Sequence, residues 1–125
     1  MKLLIIKGNK NAKYYPYWDQ LTDHDIKVMG DNLSNQEIID LINWCDKWIS
    51  TDTFIQHFVK YHNLKPGIVI WGKSDPKVFG YDTNINLLKD PKYLRPFQFR
   101  YWKDEPIDEN AFVSIDVLQQ AINML

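Results

Sequence analysis

The sequence predicts an α/β fold, a three-layer sandwich with a central parallel sheet. Two observations carry that expectation. Continuous apolar runs at residues 3–6 and 68–71 are closed by charge or by Pro and Gly, as in strands covered on both faces. Between and after them stand amphipathic stretches with helix-start signals, so strand and helix patterns alternate along the chain.

Each element has a local reason. Leu3, Leu4, Ile5 and Ile6 lie between Lys2 and Lys7 and read as the first strand. Residues 16–21 read as a short helix with Pro16 near its first turn. Residues 26–29, ended by Gly30, and residues 48–50 are fainter strand patterns. Ser34 and Glu37 form a capping box, and Ile38, Leu41, Ile42 and Cys45 follow at i, i+3, i+4 and i+7. Thr53 and Gln56 suggest a second box, with Phe54, Phe58 and Tyr61 on one face behind it. Ile68, Val69, Ile70 and Trp71 form a strand between Pro66-Gly67 and Gly72, and residues 84–88 give a fifth. The stretch 89–106, with Pro91, Pro96 and Pro106, has no period and reads as loop with a turn of helix at Tyr93. Within residues 113–125, Ser114 caps a last helix whose stripe is Ile115, Leu118, Ile122 and Leu125. Right-handed crossovers turn this order into a Rossmann-like sandwich, with strands 3–7, 48–50 and 68–71 adjacent and central. Ligands of such sheets sit beyond the carboxyl ends of the strands, which here directs attention to residues 8–15, 30–34, 51–53 and 72–81.

Composition narrows the class. At 125 residues the chain has the size of one domain, 1–125, and with 45% hydrophobic and 14% aromatic residues it can bury a sizeable core. Fifteen Lys and Arg against sixteen Asp and Glu leave a net charge of -1, which argues against a nucleic-acid partner. The single Cys excludes an internal disulfide framework and a multi-Cys zinc site, and fits a reducing, cytoplasmic setting. No stretch approaches the roughly 18 apolar residues of a membrane span.

Several chemistries lack their residues. No G-x-G-x-x-G follows the first strand, and Walker A and G-x-S-x-G patterns are absent, so no cofactor is expected. His57 and His62 are five residues apart, about 500° around a helix at about 100° per residue, so they diverge and His24, His57 and His62 define no metal site. A Cys45–His57 nucleophile pair competes with an inert core thiol. Three segments could hold a ligand. Asp52-Thr53 leads from a strand into a helix with His57 one turn in, where backbone N–H groups and helix charge favour a phosphate by roughly 0.3–1 kcal/mol. The same residues can merely cap the helix while His57 packs in the core. Lys13, followed by Tyr14, Tyr15, Tyr17 and Trp18, could offer a cation and an aromatic platform, or be a surface Lys over wedged aromatics. Lys73 and Ser74, in a loop with Gly72, Pro76 and Gly80, could add to the same rim or form an ordinary polar turn.

In this order the three segments resemble the C-terminal, nucleotide-sugar-binding half of heptosyltransferase-like glycosyltransferases of the GT-B fold, over residues 2–80 or so. The resemblance implies that Lys13 and the backbone around Asp52 and Thr53 hold the diphosphate of an activated sugar. It also implies that His57 sits beneath that turn, that Asp31 lies near the nucleoside, and that Lys73 and Ser74 line the rim. No residue is assigned to catalysis. Phe54 stands where the family usually has Gly, which would narrow the approach to the helix start. The family's acceptor-binding half is not in this sequence, so a protein partner or a homo-oligomer is expected to supply the acceptor side. The expected function is that of a glycosyltransferase-like donor domain binding a nucleotide-diphosphate sugar. The alternative is a non-catalytic binding or structural module that keeps the fold.

Overall fold

A computed structural model describes residues 1–7, 17–21, 24–30, 32–51, 53–72, 74–94 and 111–124. Five strands are present: β1 (Lys2–Ile6), β2 (Asp25–Val28), β3 (Lys47–Thr51), β4 (Ile68–Trp71) and β5 (Ile85–Leu88). The helices are α1 (Asn35–Trp44), α2 (Ile55–Tyr61), α3 (Pro76–Phe79) and α4 (Ile115–Ile122), with 3-10 turns at Trp18–Gln20 and Pro91–Tyr93. The strands form one sheet in the order β2-β1-β3-β4-β5, and every neighbouring pair is parallel. The three apolar strands β1, β3 and β4 are adjacent and central, as their double-faced burial requires.

Two cores cover the two faces. On one, Leu3, Ile5, Ile49, Ile68 and Ile70 pack with Trp18, Leu21, Phe112, Val113 and the α4 residues Leu118, Ala121 and Ile122. On the other, Leu4, Ile6, Trp48, Val69 and Trp71 pack with Ile38 and Ile42 of α1, Ile55 and Val59 of α2, and Phe79 of α3. The chain therefore runs from β1 to β2 past the first face, and from β2 through β5 by way of the second. This is a doubly wound, Rossmann-like arrangement. The common dinucleotide-binding order puts two strands outside β1, whereas here β2 alone lies there. Gly67 is required where it stands: a Cβ there would come within 2.2 Å of the Trp48 ring. No helix among the described residues is long and apolar enough to cross a membrane.

Three local expectations change. The α1 capping box is complete, but α2 has none: Phe54 at its start has helical backbone angles and no side chain caps the turn. The buried face of α2 is Ile55, Gln56 and Val59, not Phe54, Phe58 and Tyr61; Phe54 is 55% exposed and Tyr61 85%. The sheet lies on the other side of the helix, so Phe54 and Tyr61 are turned outward while Phe58 packs at the margin of the second core. The segment 72–81, expected as loop, contains α3, with Asp75 accepting from the Lys77 N–H and Pro76 in the first turn.

Candidate functional site

Because β1 through β4 are parallel, the segments that follow them leave the sheet from one edge. At that edge the chain after β1 turns to one face and the chain after β3 to the other, which opens a crevice between their carboxyl ends. Lys13, Asp31, Asp52 and Lys73 belong to these following segments and lie outside the described residues. Lys7, exposed at the end of β1, is the cation that the described residues place there.

The end of β3 is unusual in its polarity. Ser50 and Thr51 are fully buried and Thr53 is half-buried, yet Ser50 Oγ, Thr51 Oγ1 and Thr53 Oγ1 are shielded hydroxyls without a hydrogen-bond partner among the described residues. A shielded hydroxyl left in that state costs about 1–3 kcal/mol, so three within four positions are a concentrated expense at the one place where the strand order reverses. By strand alternation Ser50 shares the face of Ile6 and Val69, and Thr51 the face of Ile70. The two hydroxyls therefore lie on opposite faces of the sheet, at the carboxyl end of β3 beside the strand-order reversal. Gln56, in the first turn of α2, is fully buried as well. Thr53 belongs to the sequence-derived candidates; Ser50, Thr51 and Gln56 do not. Ser50 and Thr51 could have been suspected only as hydroxyls at the end of an otherwise apolar strand, because the missing partners are visible only in three dimensions.

The other candidates fall differently. Ser74, after β4, is buried at the same edge. His57 does not pack in the core: it is exposed on α2, with Nδ1 2.8 Å from Tyr81 Oη and the rings edge-on at 5.5 Å. Phe54 stands edge-on to Phe58 at 6.5 Å, and its φ of -60° makes no demand for glycine. Gly72, read in the sequence as part of a tight loop, faces the Phe112 ring, which a Cβ would meet at 2.9 Å. Cys45 is buried, donates to the Ile42 carbonyl at 3.2 Å, and has its thiol pKa pushed up by burial. It precedes β3, at the edge opposite the crevice, so it forms no nucleophile pair with His57.

Neither a family model, nor a curated protein, nor a solved structure matches the chain.

Proposed function

We propose that this domain binds the diphosphate of a nucleotide-linked sugar in the crevice between the carboxyl ends of β1 and β3, as a glycosyltransferase-like donor domain. The observation that supports this reading best is the group of shielded hydroxyls Ser50, Thr51 and Thr53 beside the strand-order reversal. Hydroxyls can donate to phosphate oxygens and need no fixed charge to do so. The resemblance in sequence supplies the ligand class and adds Lys13 and the backbone around Asp52 and Thr53 as partners of the diphosphate, with Lys73 on the same rim and Asp31 beside the nucleoside. Leaving-group charge would then be met by lysine ammonium groups.

A titration calorimetry experiment with a nucleoside diphosphate, without added metal, tests the reading. Thr51→Val and Thr53→Val remove one hydroxyl each at nearly constant volume. Each is expected to leave the unliganded protein as stable as the parent or more stable by up to about 1 kcal/mol, because the lost group has no partner. Each is also expected to weaken binding about two- to tenfold, the worth of one hydrogen bond. Absence of binding by the parent would remove the donor-site reading.

A second reading has its own observation. Phe54 and Tyr61 are exposed at the two ends of α2, next to half-buried Phe58 and His62, with the Phe58 and His62 rings 4.3 Å apart and Tyr61 and His62 at 4.9 Å. Exposed aromatics of this kind favour a binding module with a protein partner. Paired Phe54→Ser and Tyr61→Ser substitutions would spare nucleotide binding and abolish such a partnership.

A further inference from the structure

The edge strand β2 is open in a way that the other edge, β5, is not. All four β2 side chains are exposed, whereas those of β5 are half-buried. The backbone fixes which groups remain free. Asp25 donates to the Met1 carbonyl at 3.1 Å and Met29 to the Ile5 carbonyl at 2.9 Å, so odd-numbered residues turn toward β1. Ile26 and Val28 therefore turn their N–H and C=O groups outward, and nothing among the described residues pairs with them. By register with Leu3 and Ile5, the Ile26 and Val28 side chains lie on the face of α4, Val28 at 52% exposure. Asp25 and Lys27 occupy the opposite face, where the Lys27 ammonium stands 4.3 Å over the Trp44 ring.

We infer that β2 pairs with β2 of a second copy of this chain, antiparallel about a two-fold axis through Ile26, joining two sheets into one. Outward-facing residues can hydrogen-bond only with outward-facing residues, which restricts the register to even-numbered partners. Among these registers, a centre at Ile26 sets Asp25 of each copy opposite Lys27 of the other, giving two complementary cross-strand pairs. A centre at Lys27 would oppose two lysines, and one between Asp25 of each copy would oppose two aspartates. In the favoured register Ile26 meets Ile26 as a hydrogen-bonded pair, and the exposed apolar face of each β2 extends that of the other. The self-complementary patch is what a two-fold dimer requires. Its proposed ligand crevice is at the other side of β1, so the pairing and nucleotide binding are separable.

Sedimentation equilibrium of the parent chain over a wide concentration range should show a reversible monomer–dimer equilibrium. Asp25→Lys and Lys27→Asp should each dimerise about tenfold more weakly, because each sets like charges opposite one another twice. An equimolar mixture of these two variants should restore a heterodimer of parental affinity, since every Lys then again faces an Asp. Ile26→Pro should abolish pairing while keeping the monomer's β1–β2 ladder, because the lost N–H faces outward. The circular dichroism of that variant checks the fold. A parent that stays monomeric at its highest soluble concentration overturns the inference. So does a dimer that both charge reversals leave unchanged.

Discussion

Lys47 is a residue whose position contradicts its ordinary habit. It is 2% exposed at the start of β3, and its ammonium donates to the Ala121 and Ile122 carbonyls at 3.2 and 2.8 Å. Those are last-turn carbonyls of α4; that of Ala121 also accepts from the Met124 N–H at 3.3 Å, and the ammonium adds its own bonds to both and ties α4 to the sheet. Burial lowers its pKa from the ordinary 10.5. The unfolded chain then binds more protons than the folded one in the range between the lowered value and 10.5, so this group makes stability rise with pH there. Lys47→Met should remove that rise, visible as a difference between parent and variant urea midpoints at successive pH values just below 10.5. The slope difference has a ceiling of about 1.4 kcal/mol per pH unit, one proton's worth. A parallel pair of curves would show that Lys47 titrates alike in both states. Nothing in the sequence around residue 47 announces its burial, since a Lys before a short apolar run reads as a strand boundary.

Among the elements, helix starts differ in how well their caps are made. Ser34 accepts from the Glu37 N–H at 3.1 Å and its own N–H donates to Glu37 Oε1 at 3.1 Å, so both halves of the box are closed. Ser114 accepts from the Val117 N–H at 3.4 Å, a longer single bond. Ser34→Ala should therefore cost about 1 kcal/mol by urea denaturation, and Ser114→Ala measurably less. Equal costs would show that the second helix end tightens in solution. Capping boxes were legible because they are local, made of residues three apart. The same pattern at Thr53 and Gln56 failed because the sheet claims Gln56 for the buried face of α2. Asp75-Pro76 carries the start signal of α3, but four residues are too few for a period to show.

At the scale of the molecule, Cys45 reports on both layers, because it sits where α1 meets β3 inside the second core. Its buried thiol, with a raised pKa, should react with a thiol reagent only through an opened state, so labelling should accelerate with urea in step with global unfolding. Labelling that is fast and independent of urea would instead reveal a local opening at the α1–β3 junction. The sequence by itself determined the five strands and the helices α1, α2 and α4, the central place of β1, β3 and β4, and the starts of α1 and α4. These follow from hydrophobic runs and caps, which act over a few residues. Tertiary structure decided that β2 lies alone outside β1, that Lys47 is interior, that Phe54 and Tyr61 face outward, and that Ser50, Thr51 and Thr53 lack partners among the described residues. Each depends on which distant segment covers a given face, and burial and hydrogen bonding are properties of the surroundings that no local spacing encodes.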